Sequence, residues 1–413
     1  MKKSSRAFKA LWAGEIVSEF GGAAGAIING LVLYEITGSK EWMGVLWLVY
    51  FIPSLILQMV SSPFLNHVEK GKMLKNIQLI RSISYTLPLL GYWAFSNTGA
   101  ITGLVLLQCI LGLLQPIYAS LAFSLLPDIC KEDELAAANG LLDGTLRLMA
   151  FIAPGVTTLL LVVMPMQCIY VISAMMYFIS FLSLSRIQVK LNQRIPAWTK
   201  KFWWAEMKLG YKIFFQKPKL VRLTFLSSSV QFAVGASMVL SVPFIRGDLK
   251  GETWEYAIFS GCFSVGYALG TLLLRKLPRN NQVMYLGLVG GGVSFIMLFF
   301  VHLTSFAWLC ELFGGTLFPL YNANSAAIFQ KEAPRERLSQ LSAVRLLFFR
   351  STTPLGILFA SSQFIHFSSR EIYLIVGTLI AAPGLFYFFS AFGEKENNLL
   401  DVQNSVNKTE GTS

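Results

Sequence analysis

Charged residues are scarce in this chain of 413 residues. Only 14% of the residues are Asp, Glu, Lys or Arg, and 54% are hydrophobic, whereas a soluble domain is usually about a quarter charged. The low charge content argues against a soluble globular protein and places the chain among membrane proteins. The 33 Phe and 9 Trp residues suit lipid-facing and interfacial positions.

Cysteine and histidine are also few. The five cysteines include no pair at the spacing of a metal or redox motif, so we expect reduced, buried thiols. The three histidines lie far apart in the sequence, and no His-acid, Cys-His or Gly-x-Ser-x-Gly arrangement is present. No glycine-rich loop ends in the Lys-Ser/Thr of a nucleotide site. The sequence therefore argues against an enzyme and predicts no metal or organic cofactor.

Long apolar runs, by contrast, fill most of the chain. A membrane-spanning helix needs about 20 mostly apolar residues. Twelve segments meet this requirement, at roughly 8–36, 43–65, 73–96, 100–126, 136–164, 167–187, 220–245, 255–276, 282–303, 305–330, 341–366 and 371–392. We predict an all-α polytopic membrane protein with 12 transmembrane helices in two six-helix halves.

The predicted halves are residues 1–187 and 220–392. Between them lies a basic linker, 188–219, and after them a polar tail, 393–413, that is predicted to be disordered. The linker contains KKFWWAEMKLGYKIFFQKPKL, residues 200–220, in which apolar residues recur among lysines at helical spacing. This pattern is typical of an amphipathic helix on a membrane surface. We interpret it as a linker helix, with lipid sensing as the alternative.

The basic residues predict the orientation of the spans. With the N-terminus inside, the inner segments hold 24 Lys and Arg residues and the outer loops hold four. Such a bias places both termini in the cytoplasm. It also explains the net charge of +12 without a nucleic-acid partner.

A weak internal echo links the two halves. Leu135 and Arg147 are twelve residues apart, and so are Leu338 and Arg350. In each case an acid precedes the Leu by two residues and a Pro follows the Arg. Related six-span halves are a transporter architecture whose site lies near the membrane midplane between the halves.

Pairs of ionisable residues nevertheless occur inside two of the spans. Glu15 and Glu19 lie four residues apart, as do Asp143 and Arg147, so each pair shares one helix face. Two close carboxylates in a low-dielectric site resist double ionisation, and we therefore predict that Glu19, with Glu15, binds and releases a proton. For Asp143 and Arg147, both a structural ion pair and a gating or coupling role remain open.

Four further ionisable residues lie in predicted spans. Glu311 is near the outer end of span 10 and suits an outer vestibule. Arg350 is expected to pair with an acid across a cavity. Arg81 and Arg345 are expected to extend towards the inner membrane boundary, as long basic side chains near span ends do.

Several stretches resemble a known family. LWAGEIVSEFG in span 1, YEITGS at 34–39 and SLLPDICKEDELAAANGLLDGTLRL at 124–148 resemble the major facilitator superfamily, in particular its bacterial drug:proton antiporter branch with the macrolide-efflux-like proteins. The resemblance covers roughly residues 8–392, and its most specific motifs lie in the first half. It implies a secondary transporter of the two-halves type.

The resemblance also implies roles for particular residues. The loop PFLNHVEKGKMLK, 63–75, keeps the charge order of the family's gating motif in Glu69 and Lys70 but lacks its leading Gly, so a plain polar turn is the alternative. In the family, spans 1, 4, 7 and 10 line the substrate cavity. The polar residues that these spans place there are Ser18, Gln108, Gln115, Tyr118, Gln231, Glu311, Tyr321 and Asn322.

The leading hypothesis is therefore proton-coupled efflux of lipophilic or amphipathic compounds by alternating access. Glu19, Glu15 and Asp143 would couple the proton, and Asp143, Arg147, Arg350, Glu69 and Lys70 would form the gate. The expected partners are a small-molecule substrate and membrane lipids, and the expected state is a monomer in the bacterial inner membrane that uses the proton gradient. The alternatives are export of a siderophore or other endogenous metabolite and, remotely, a polytopic membrane enzyme.

Overall fold

The computed structural model describes residues 5–37, 40–187, 199–274, 276–278, 280–361 and 367–410. Within these ranges the chain is helical and contains no strand. Part of the predicted linker, 188–198, and the last three residues of the tail lie outside them. So do six of the basic residues counted for the orientation, which are Lys2, Lys3, Lys190, Arg194, Arg275 and Arg279.

Thirteen α-helices are assigned in the described ranges. They are α1 (Arg6–Thr37), α2 (Lys40–Ser61), α3 (Lys70–Ser84), α4 (Leu87–Ile129), α5 (Leu135–Val163), α6 (Met166–Leu184), α7 (Lys200–Gln216), α8 (Pro218–Val242), α9 (Thr253–Leu273), α10 (Asn281–Phe300), α11 (Thr304–Glu332), α12 (Leu338–Ser361) and α13 (Ser369–Glu410). The predicted all-α membrane fold is confirmed.

In the described ranges, 9 stretches are long and apolar enough to cross a membrane. One of them, Lys70–Ile129, covers the third and fourth predicted spans. The helix breaks at Phe95 and Ser96, where Ser96 has a φ of 52°, and the chain reverses. Gly91 and Gly99 then face each other so closely that a Cβ on either would collide with the other's carbonyl. The count of twelve spans stays a prediction.

The chain forms two compact units. The first comprises Met1–Phe225 and Ala326–Ser351, and the second comprises Leu226–Ser325 and Thr352–Ser413. The units thus differ from the predicted halves, because residues 326–351 pack with the first half of the sequence. The physical reason is a set of hydrogen bonds that joins the end of α11 and the start of α12 to α2, α4, α5 and α7.

The first unit is built around α1. This helix packs against α5 and α6, while α3 packs against α4 and α6 and α2 packs against α4. Its core is aliphatic, with fully buried Leu11, Leu74, Leu121 and Leu125. A second apolar cluster surrounds the stacked rings of Tyr85 and Tyr177.

The second unit packs its helices through glycines. A Cβ on Gly266 or Gly270 of α9 would collide with the backbone of α11, and one on Gly292 of α10 would meet Ala381 of α13. The sequence predicts helix-packing faces at Gly266–Gly270 and at residues 290–292, and this prediction is confirmed. Small residues allow such close approach of helices in membranes.

The last helix continues into the predicted tail. α13 extends to Glu410, so the structure carries helix through most of the segment that the sequence predicts to be disordered. No Gly or Pro occurs between Gly393 and Gly411, and so no residue of either type interrupts the helix. The predicted linker helix is confirmed as α7, which begins after Thr199, whose side chain accepts a hydrogen bond from the Phe202 amide at 3.1 Å.

Candidate functional site

A buried arginine occupies the interior of the first unit. Arg81 of α3 is only 3% exposed. Its Nη2 donates to Gln115 Oε1 at 2.5 Å and its Nη1 to Gln78 Oε1 at 3.2 Å. The guanidinium also lies over the ring of Tyr118, 4.8 Å from the centroid. The expectation that Arg81 extends to the membrane boundary is wrong, because the buried face of α3 turns it towards α4.

The two carboxylates of α1 belong to the same group. Glu15 is 9% exposed and interacts electrostatically with Glu19, Tyr118 and Arg81. Glu19, one helical turn further, also interacts with Arg81. We call Glu15, Glu19, Arg81, Gln115 and Tyr118 the Arg81 cluster; Gln115 and Tyr118, predicted for the substrate cavity, belong to it.

The Arg81 cluster holds two acids and one guanidinium. One carboxylate can be balanced by Arg81, and a buried second carboxylate then favours a proton or another cation. The predicted cavity residues Ser18 and Gln108 are neutral and cannot supply this positive charge. Ser18 donates to the carbonyl of Glu15 at 3.4 Å, and Gln108 accepts from Asn29 at 3.3 Å.

The remaining predicted cavity residues lie in the second unit. Tyr321 is fully buried, and its hydroxyl lies 3.3 Å from that of Ser227. Asn322 donates to the Tyr267 hydroxyl at 2.9 Å, and Gln231 is half-buried on α8. Glu311 is half-buried on α11 and interacts electrostatically with Tyr373.

Asp143 and Arg147 form an ion pair along α5. Arg147 Nε lies 3.6 Å from Asp143 Oδ1. Between them in the sequence, Thr145 accepts a hydrogen bond from the Trp12 indole at 2.9 Å, so this part of α5 is bonded to α1. Arg350, the counterpart in the sequence echo, donates to the Ser54 hydroxyl of α2.

The two predicted gating residues after α2, Glu69 and Lys70, have different surroundings in the structure. Glu69 is exposed at the start of α3. Lys70 instead pairs with Asp128 near the end of α4, with 2.7 Å between Nζ and Oδ2, and donates to the Ser124 carbonyl at 2.9 Å. Asp128 follows Pro127 in the best-matching stretch of the sequence, but only the fold shows that it lies beside Lys70.

A polar network joins the start of α12 to α7 and to the turn after α2. Gln340, which is 0% exposed, exchanges two hydrogen bonds of 3.0 Å with Asn66 and donates to the Glu206 carbonyl at 2.7 Å. Arg337 pairs with the Glu206 carboxylate at 2.7 Å. We call Asn66, Glu206, Arg337 and Gln340 the Gln340 network. Sequence reasoning missed it, since its contacts between elements join residues 131 to 274 positions apart.

Two more contacts tie the same segment to the first unit. Asn139 of α5 donates to Gln330 Oε1 at 2.7 Å, and Gln330 donates to the Phe123 carbonyl at 2.8 Å. Arg345, which is buried, stacks over Phe329 and Phe123. The expected extension of Arg345 to the membrane boundary is therefore wrong.

No group of three His, Cys, Asp or Glu residues in the described ranges is placed to hold a metal ion. The Arg81 cluster brings two carboxylates, one guanidinium and an aromatic ring together. Such a site can bind and release protons or small ions through its carboxylates. It offers no nucleophile poised beside a base.

Comparison with known families settles the class of the protein. Residues 11–357 match the model of the Major Facilitator Superfamily. The chain belongs to the major facilitator superfamily. Members of this superfamily are transporters of small molecules that typically act as monomers, so the chain is a transporter and not an enzyme.

Individual relatives of this superfamily member are distant. It is 21% identical to the uncharacterized MFS-type transporter YvqJ of Bacillus subtilis (strain 168), over 90% of each chain. Among solved structures, it is similar to a bacterial homologue of the iron transporter ferroportin in the outward-facing state, with a TM-score of 0.73, 15% identity and coverage of 94% of this chain and 99% of that one. The human organic anion transporter MFSD10 gives a TM-score of 0.73 at 10% identity, with coverage of 92% and 98%.

These similarities support the superfamily and the fold. They do not distinguish among its branches, so the resemblance to drug:proton antiporters stays a prediction.

Proposed function

We propose that this transporter exports lipophilic or amphipathic compounds in exchange for protons, by alternating access. The observation that carries the proposal is the Arg81 cluster, in which buried Glu15, half-buried Glu19 and one buried guanidinium lie together in the first unit. Ionisable groups inside a membrane are costly and rare, and they commonly mark substrate, ion or proton pathways. Proton binding to Glu19 or Glu15 changes the net charge of the Arg81 cluster and hence the attraction of the cluster for a cation.

The proton-motive force is sufficient to drive such a cycle. One elementary charge that moves through 100 mV releases about 2.3 kcal/mol. Asp143 is a further candidate for coupling, since its ion pair with Arg147 spans the position of Thr145, which contacts Trp12 of α1. The proposed function needs no cofactor besides this gradient.

The contacts made by residues 326–351 form the proposed gate. With both termini in the cytoplasm of a bacterial inner membrane, the Gln340 network and the Lys70–Asp128 pair lie on the cytoplasmic side. Access of substrate from the cytoplasmic side requires the hydrogen bonds of Gln340 and Gln330 to break. Arg350 and the Asp143–Arg147 pair lie further along the same helices and belong to the same gate.

Export of an anionic endogenous metabolite, such as a siderophore, is the second candidate. Arg81 favours it, because protonation of both carboxylates would leave a buried guanidinium able to bind an anion. The two candidates differ in the charge of the compound carried. A substrate panel that includes both charges separates them.

Efflux from energised cells that lack other pumps tests the proposal. The variants are Glu19→Gln and Asp143→Asn, and the matched control is Glu35→Gln, which removes an exposed carboxylate from the same helix as Glu19. The probes are a fluorescent lipophilic cation, a macrolide panel and an anionic siderophore, each with and without a protonophore. We expect protonophore-sensitive efflux of at least one cation or macrolide, lost in Glu19→Gln and retained in Glu35→Gln.

Two results would contradict the proposal. If efflux is unaffected in both Glu19→Gln and Asp143→Asn, neither of these residues couples the proton. If the wild type moves only the anionic compound, the second candidate replaces the first.

A further inference from the structure

The exposed face of α7 combines lysines with large apolar side chains. The helix buries Met207, Gly210 and Phe214 against the first unit. Its opposite face follows helical spacing, and its exposed residues include Lys201, Trp204, Lys208, Lys212 and Phe215. Trp204 is 47% and Phe215 54% exposed, a high exposure for aromatic residues outside the spanning helices.

Each end of α7 adjoins the end of an apolar helix. Near its start, the Trp203 indole donates to the Val60 carbonyl at 3.0 Å, and Val60 lies in the last turn of the apolar helix Leu48–Ser61. Near its end, Pro218 begins the next spanning stretch, Pro218–Asp248. The helix, about 25 Å long at 1.5 Å per residue, therefore runs along the membrane boundary.

We propose that this face of α7 binds the anionic phospholipid headgroups of the adjacent leaflet. Three lysines supply positive charge, and the only acid of the helix, Glu206, is already paired with Arg337. Trp204 and Phe215 supply the apolar contact that an interfacial helix makes with acyl chains. A nucleic acid or an acidic protein would use the lysines but would leave these two aromatic side chains exposed at the membrane boundary.

Lipid binding on this face would also stabilise the Gln340 network. Glu206 lies on the side of α7 that contacts Arg337 and Gln340, so a helix held by headgroups keeps these hydrogen-bond partners in place. The lipid content of the membrane would thereby influence the start of α12. This face of α7 binds headgroups whichever substrate is transported.

Hydrogen–deuterium exchange of residues 199–217 in nanodiscs tests the proposal. Wild type is compared in phosphatidylcholine alone and in phosphatidylcholine mixed with phosphatidylglycerol. We expect slower exchange of α7 amides with phosphatidylglycerol, because each basic residue near an anionic surface strengthens binding by roughly fivefold. The readout requires no transport, so it is independent of the proposed efflux.

Two variants and one control identify the residues. Replacement of Lys201, Lys208 and Lys212 by Gln should abolish the effect of phosphatidylglycerol, and Trp204→Ala with Phe215→Ala should reduce it. The control replaces the exposed Arg6, Lys9 and Lys72 by Gln, which removes the same charge elsewhere, and should retain the effect. Unchanged exchange in phosphatidylcholine shows that α7 remains folded and docked in each variant.

Three outcomes would overturn the proposal. They are no effect of phosphatidylglycerol on the wild type, an effect that survives the triple lysine replacement, and an effect that the control also loses. Protection of α7 by an acidic peptide or an oligonucleotide, but not by phosphatidylglycerol, would likewise assign the face to another partner.

Discussion

At the scale of single residues, Arg81 holds the buried charges of the first unit together. It contacts α4 through Gln115 and Tyr118 and balances the carboxylates of α1. A guanidinium can form planar hydrogen bonds and stack on a ring at the same time, which an ammonium group cannot. The cluster therefore depends on arginine specifically.

We expect Arg81→Met to lower the free energy of unfolding by about 3–5 kcal/mol, because it leaves buried carboxylates without a counter-charge. Arg81→Lys keeps the charge and should lose less. Thermal unfolding in mild detergent measures both variants. Equal stability of the methionine variant and the wild type would show that Arg81 does not balance Glu15 and Glu19.

His67 gives the turn after α2 a dependence on pH. Burial lowers the pKa of its imidazole from 6.5, Glu206 opposes this effect, and Arg337 adds to it. The docked state therefore binds a proton less readily than an undocked one. Docking of α7 is fully stabilised above pH 6.5 and weakens as the pH falls below this value.

Hydrogen–deuterium exchange of α7 in wild type and His67→Gln, compared at each pH, tests this expectation. Below pH 6.5, the ratio of the wild-type exchange rate to the variant's rate should rise above its value at neutral pH. Above pH 6.5, this ratio should stay constant. A ratio that is constant with pH would rule out His67 as the titrating group.

At the scale of elements, α7 depends on a close approach at Gly210. A Cβ at this position would collide with the side chain of Gln340, which is fixed by its bonds to Asn66 and Glu206. Gly155 of α5 offers a matched comparison, because a Cβ there meets no atom within 4 Å. The two glycines thus differ in surroundings but both lie inside helices.

We expect Gly210→Ala to destabilise the protein by about 1–3 kcal/mol through overpacking. Gly155→Ala should be neutral or stabilise it by about 0.5–1 kcal/mol, since alanine favours a helix interior. Unfolding midpoints of the two variants provide the comparison. A tolerated Gly210→Ala would mean that α7 is not held tightly against Gln340.

At the scale of the whole molecule, ion pairs join segments far apart in the chain. Glu206 and Arg337 are 131 residues apart, and residues 326–351 belong to the first unit because of contacts of this kind. The pair is accompanied by the hydrogen bonds of Gln340. The Glu206–Arg337 pair therefore couples α7 to the start of α12.

A double-mutant cycle measures this coupling. We expect Glu206→Arg and Arg337→Glu each to lower the free energy of unfolding, and the double exchange to restore part of it, with a coupling energy of about 1 kcal/mol or more. Additive effects of the two substitutions would show that the pair makes no net contribution.

Hydropathy was sufficient to establish an all-helical membrane protein with a linker helix. Both features depend on the composition of continuous segments, which the sequence contains directly. The presence of Glu15, Glu19, Asp143 and Arg147 in apolar spans was equally visible, and it pointed to the part of α1 where the Arg81 cluster lies. Charge order alone, however, did not identify Asp128 as the partner of Lys70.

Only the tertiary structure decided which polar groups meet. Arg81 was expected at the membrane boundary but contacts Gln115, and Lys70 pairs with Asp128, which the sequence did not single out. A buried polar group must find a hydrogen-bond partner wherever the fold places one. Hydropathy depends on neighbours in sequence, whereas these partners lie 34 and 58 residues apart in the chain and meet only when the helices pack.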